Sequence, residues 1–214
     1  MSFTRCWADT QEETTELIEK SVELLNVELA TPRFEGFRNL IGASRAVLIL
    51  PNYKQGAFWF GYGRGRGIVL KRFGKNWSDP LFVTINDINL GFQFGFFQSR
   101  SIAFVLTDKT VNKLEESVAH WGTAGGAAFL KWGVDASGTA SWDSGLDSTI
   151  AGLTKGLYFG GAFNRTNVSP YQEFNQHFYD DKTASSILAT PGTHPEAAEL
   201  RNILHMMIEE VWEN

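Results

Sequence analysis

The sequence is short of the residue types that most often betray an enzyme or a membrane-spanning chain. It has a single cysteine, Cys6, among 214 residues. An internal disulfide framework and any multi-cysteine metal site are therefore excluded. Its four histidines, His120, His177, His194 and His205, stand far apart, so no short spacing places two imidazoles around one metal. No apolar run reaches the roughly 18 residues that a bilayer-spanning helix needs. The first nine residues contain no apolar core segment and turn acidic at Asp9, so no secretory leader is expected. A reduced compartment follows: cytoplasmic or peripheral to a membrane, with an envelope location if a leader is removed.

Acid is missing from one long stretch. Residues 36–78 contain no Asp or Glu but eight bases: Arg38, Arg45, Lys54, Arg64, Arg66, Lys71, Arg72 and Lys75. Residues 1–35 hold eight acids against Arg5, Lys20 and Arg33, and the chain as a whole has a net charge of −5. Segregated charge gives a protein local fields that its total conceals. The overall negative sign disfavours nucleic acid as a partner.

What is abundant is aromatic and apolar. Hydrophobic residues make up 43% and aromatics 14%, including seventeen Phe and seven Trp. This favours strands and a core of large rings. The expected fold is α+β and β-rich, a largely antiparallel curved sheet or barrel-like core with helices flanking it at both termini, in one domain over 1–214. Ile18, Val22, Leu25 and Leu29 recur at helical spacing and predict an amphipathic helix over 10–30, with Thr10 and Glu13 as a capping box and an acidic outer face. Strand patterns fill a core over 44–180. They include 46–50, 57–62, 68–73, 81–85, 90–97, 102–106 and 156–163, with a helix near 109–120. A further helix is predicted over 195–212. Gly63, Gly65 and Gly67 alternate with Arg64 and Arg66 between two strand patterns and predict a glycine-rich hairpin connection. The alternating Phe92, Phe94 and Phe96 line either a core or an acyl-chain cavity, with core favoured.

Catalytic patterns fall short. The glycines at 61–67 are followed by no Gly-Lys-Ser/Thr, so a phosphate loop is weakly supported. Gly42-Ala-Ser44-Arg-Ala46 precedes a strand, whereas a nucleophile elbow needs the strand before it. Asp143 with Asp147, and Asp180 with Asp181, read as solvated loop acids. No catalytic residue, cofactor or metal is expected.

Several motifs, in order, resemble the SYLF domain family of lipid-binding proteins, most closely its bacterial branch. Residues 43–56 look like its opening apolar strand, followed by Pro51, Lys54 and Gly56. Residues 61–70 are similar to its glycine-rich segment, and Trp77-Ser78-Asp79-Pro80-Leu81-Phe82-Val83-Thr84 to its W-S-x-P-x-F-V-T. Residues 89–95, 102–106, 154–161 and 175–179 match later motifs, among them Thr154-Lys155-Gly156-Leu157-Tyr158 and the N-x-x-Y-Y-G near the end. Two departures stand out. Asp180 occupies the place of the last glycine, and the N-terminal helix is acidic where some eukaryotic members carry a basic one.

The resemblance implies a β-rich fold, no enzymatic activity, binding of membrane lipids including phosphoinositides, and actin-related work in eukaryotic members. The expected partner is an anionic phospholipid surface, reached peripherally through Arg64, Arg66, Lys71, Arg72 and Lys75 with Trp77 at the interface. Basic residues near an anionic bilayer contribute on the order of 1 kcal/mol each before screening. Lys54 and Lys155 sit at family-motif positions, as headgroup contacts or as structural lysines. The competing reading of the basic stretch is an ordinary solvated hairpin. The alternative function is a protein-interaction scaffold with an actin-related or cell-envelope partner.

Overall fold

The computed structural model describes residues 3–29, 40–57, 60–90, 93–115, 119–121, 148–160, 163–180 and 182–212. A long helix α1 (Phe3–Leu29) is followed by strands β1 (Ala46–Ala57), β2 (Phe60–Phe73), β3 (Asn76–Trp77), β4 (Leu81–Leu90) and β5 (Gln93–Val105). Helix α2 (Asp108–Glu115), strands β6 (Ala119–Trp121), β7 (Ser148–Gly160) and β8 (Phe163–Pro170), and helices α3 (Gln172–Tyr179), α4 (Ala184–Ile187) and α5 (Ala198–Trp212) follow. The strands form one antiparallel sheet in the order β6-β8-β4-β2-β1-β5-β7, with β3 paired to β2. Among the described residues no ladder joins β6 to β7, so the sheet is open and does not close into a barrel. The α+β, strand-rich architecture with a helix at each end is the one the composition implies.

The core lies where the lower halves of the strands meet the helices. Val47, Ile49, Ile68, Leu70, Phe82, Ile102 and Phe104 are buried, together with Leu24 and Leu25 of α1 and Leu200, Leu204 and Ile208 of α5. The continuous apolar runs at 46–50 and 102–105 are strands covered on both faces, which is why they do not alternate. In α1 the buried apolar residues are Leu17, Ile18, Leu24 and Leu25, joined by the small polar Thr10, Thr14 and Ser21, while Glu12, Glu13, Glu16, Glu19 and Glu23 are exposed. The amphipathic stripe thus faces the sheet and the acids face outward.

The glycine-rich run at 63–67 is not a hairpin connection. It lies inside β2, paired to β1 through Asn52↔Arg66 and Lys54↔Arg64 and to β4 through Arg64↔Asn86 and Arg66↔Thr84. The glycines mark close backbone approach instead. The β1–β2 register shifts between Ile49 and Asn52, and the displaced backbone presses on Gly67. A Cβ there would lie 2.6 Å from the Ile49 carbonyl oxygen.

Other boundaries differ as well. The 90–97 pattern is not one strand, because β4 ends at Leu90 and β5 begins at Gln93. Leu90 and Phe94 therefore belong to separate strands that run in opposite directions. The helix predicted over 109–120 stops within it, and Ala119–Trp121 pairs with β8. Helix α1 starts at Phe3, so Thr10 is interior and buried and does not cap it. The last predicted strand, over 156–163, is two strands, β7 and β8. The small-residue segment 122–139, the acids Asp143, Asp147 and Asp181, and the side-chain surroundings of Phe92, Phe94 and Phe96 lie outside the described residues.

Asp180 ends α3 with φ 57° and ψ −125°. This left-handed backbone is open to glycine and strained for a side chain bearing Cβ. The family pattern has glycine at this place. Asp180→Gly should raise stability by about 1 kcal/mol, a Tm increase of roughly 2–4 °C for a chain of this size. Thermal unfolding followed by circular dichroism reads this directly, and an unchanged or lower Tm would refute the strain.

Candidate functional site

The segment from Trp77 to Phe82 fixes the helices to the sheet. Trp77 is buried at 1% exposure, so it is core and not an interfacial side chain. Ser78 exchanges hydrogen bonds with Lys71: its backbone N–H donates to the Lys71 carbonyl at 2.8 Å, and its hydroxyl accepts from the Lys71 N–H at 2.9 Å. Asp79, also buried, accepts from the backbone N–H groups of Thr193 at 3.1 Å and His194 at 3.0 Å and pairs with the Arg201 guanidinium at 2.5 Å. Gly192 lies against Asp79 so closely that a Cβ would be 2.4 Å from the Asp79 nitrogen.

From α3, the Asn175 side chain pairs with Phe82 as a neighbouring strand would. Its Oδ1 accepts from the Phe82 N–H at 3.0 Å and its Nδ2 donates to the Phe82 carbonyl at 2.8 Å. The Tyr179 hydroxyl donates to the Pro80 carbonyl at 2.7 Å, and burial pushes that phenol well above its ordinary pKa. The W-S-D-P and N-x-x-x-Y motifs thus act as a clasp.

Several bases of the stretch meet carboxylates from outside it. Arg66 pairs with Glu13 of α1 at 2.9 Å, and its guanidinium lies over the Tyr171 and Phe174 rings at 5.1 and 4.9 Å. Its other nitrogen reaches the Tyr171 hydroxyl at 3.4 Å, and that hydroxyl donates to Glu173 at 2.9 Å. Burial, then the bond to Glu173, raises the Tyr171 pKa, and Arg66 opposes this.

Lys71 pairs with Glu115 of α2 at 2.6 Å, and Lys75 with Glu209 of α5 at 3.3 Å. Arg72 donates to the Ser44 carbonyl at 2.6 Å and to the Gly74 carbonyl at 3.3 Å. Arg100 of β5 meets Glu23 of α1 at 3.3 Å. Segregation of charge along the chain is therefore complementarity in the fold. Arg64 differs: it is exposed, and among the described residues no carboxylate pairs with it.

Strand register brings Arg64 together with the two lysines singled out by motif. Lys54 pairs with Arg64 on one side and with Gln98 on the other, and Gln98 pairs with Lys155. On the far side, Arg64 pairs with Asn86, Asn86 with Asn167 and Asn167 with His120. All seven strands of the sheet path thus contribute one polar residue to a single row, three of them cationic and none acidic. Residues of one row belong to one face of the sheet. The side-chain surroundings of Lys54 and Lys155 lie outside the described residues.

Residues 86–207 match the family model Ysc84, described as Las17-binding protein actin regulator. The chain belongs to this family, whose domain is also called SYLF. The match covers more than half of the chain and begins in β4 and ends in α5, so it holds Asn175, Tyr179 and Arg201 but not their partners in 77–82. No curated protein and no solved structure matches the chain. Among the described residues no group of three or more His, Cys, Asp or Glu is placed to hold a metal, and no helix is long and apolar enough to cross a membrane.

Reading the sequence brought the SYLF motifs onto Asp79, Asn175 and Tyr179 without giving these residues a role. Arg201, the partner of Asp79, carried no signal beyond being a lone base on an apolar helix. Replacing Asp79 by Ala leaves Arg201 part-buried without its carboxylate and frees two backbone donors. The expected loss is about 3–5 kcal/mol. Urea unfolding measures it; a loss under about 1 kcal/mol would mean that the clasp does not hold the C-terminal helices.

Proposed function

We propose that this SYLF-family chain is a non-enzymatic binding module that associates peripherally with anionic phospholipid surfaces, phosphoinositide or other, through the cross-strand row Lys155–Lys54–Arg64. One observation carries this reading. The register aligns three bases and no acid in one cross-strand row, in a protein of net charge −5. Strands about 4.8 Å apart put Lys54 beside Arg64 and place Lys155 two spacings beyond Lys54, the scale of neighbouring lipid headgroups. The other bases first considered, Arg66, Lys71, Arg72 and Lys75, are occupied within the fold, and Trp77 is in the core, so they are set aside as the contact.

A second reading is a scaffold that docks a protein partner, actin-related or of the cell envelope. It is favoured by the family's description as an actin regulator and by the exposed acidic face of α1, with Glu12, Glu16, Glu19 and Glu23. A basic protein segment is the matching ligand for that face.

Cosedimentation with vesicles separates the two. The full chain should bind vesicles containing phosphatidylserine, release them as salt rises, and lose affinity at least about tenfold in Lys54→Glu/Lys155→Glu. Binding by that variant equal to wild type, or binding indifferent to salt, would contradict the row as the contact. Absence of vesicle binding together with capture of an actin-regulatory protein would favour the scaffold.

A further inference from the structure

We infer that the groove between α1 and strands β1 and β2 seats one singly charged phosphodiester group, either a lipid headgroup or its free equivalent. The inference rests on the membrane reading above and gives it a stoichiometric site and a charge preference. The groove encloses about 500 Å³, within the range of small-molecule sites. Its apolar lining is Leu17, Pro51 and Phe174.

Its charged lining is Glu13, Glu16, Lys20, Arg64 and Arg66. Two of these bases are already engaged. Arg66 is held by Glu13 at 2.9 Å and by the Tyr171 and Phe174 rings, and Lys20 by Glu16 at 2.5 Å. Arg64 enters the groove two residues before Arg66 on the same strand, so alternation places both on one face. It is exposed, and no carboxylate among the described residues pairs with it.

A guanidinium fork is matched to two oxygens of one phosphate. Two carboxylates against three cations leave the groove with one surplus positive charge, which suits a monoanion. A headgroup bearing several phosphate monoesters would bring further negative charge against Glu13 and Glu16, and like charges in a partly enclosed groove repel. The groove therefore favours a diester such as the phosphatidylglycerol headgroup over a polyphosphorylated inositol.

Titration of the full chain, observed by NMR, tests this with glycerophosphoglycerol and inositol trisphosphate as soluble probes. Vesicles carrying phosphatidylglycerol or phosphatidylinositol bisphosphate at equal total charge form the second arm. The soluble diester should bind wild type with a Kd of roughly 1 mM, the scale of a single headgroup contact. Arg64→Ala should weaken it at least about fivefold. Lys182→Ala, which removes an exposed base elsewhere, should leave it unchanged.

Unaltered binding by Arg64→Ala, or tighter binding of inositol trisphosphate than of the diester, would overturn the seat. If wild type ignores the soluble diester yet still binds anionic vesicles, the seat is refuted while the membrane reading stands. Failure of both refutes both.

Discussion

Strand β2 runs through the middle of the sheet with bases along its length, and helices supply opposing charge to several of them. Glu13 of α1 answers Arg66, Glu115 of α2 answers Lys71, and Glu209 of α5 answers Lys75 at the strand's exit. Three helices from distant parts of the chain thus converge on one strand. Individually the exposed pairs contribute less than about 1 kcal/mol. Their larger effect is on orientation, since each carboxylate fixes which face of its helix meets the sheet. The same pairing limits function: charge that the fold consumes is not available to a ligand, and among the described side chains of β2 it is Arg64 that no carboxylate meets.

The clasp at 77–82 does for the C-terminal half what the ion pairs do for β2. Asn175 and Tyr179 lie one helical turn apart on α3, and both bond to backbone groups of the 80–82 segment. Asp79 draws the 192–194 turn and α5 to the same point. Held in this way, α3 presents Phe174 to Arg66 and closes one end of the α1 groove. The rings of Phe82, Phe174 and Phe178 meet edge to face there, at 5.8 and 5.1 Å from Phe82, and fill the space beneath. The motif residues of the clasp, Asp79, Asn175 and Tyr179, thus fix the elements that frame the groove.

Much of the architecture was legible from local pattern. The apolar stripe of α1, the doubly buried runs at 46–50 and 102–105, and the C-terminal helix all announce themselves by periodicity. The glycine-arginine alternation misled because glycine signals both turns and tight packing. Only the bulge at 50–51 on the neighbouring strand reveals which applies at Gly67. The charge distribution was visible too. An acid-free stretch reads as a ligand patch, and the fold adds that Arg66, Lys71 and Lys75 within it meet carboxylates of α1, α2 and α5. The row Lys155–Gln98–Lys54–Arg64 had no sequence signature, because its members are far apart in the chain and meet only through register.

The central claim is that, among the arginines of β2 and its partners, Arg64 alone retains a free guanidinium. Side-chain 15N spectra of the arginine Nε–H groups in the ligand-free protein test it most directly. The account predicts slow rotation about the Cζ–Nε bond and protected signals for Arg66 and Arg201, held by carboxylates, and averaged, fast-exchanging signals for Arg64. A locked Arg64, or an Arg66 that rotates freely, would contradict it.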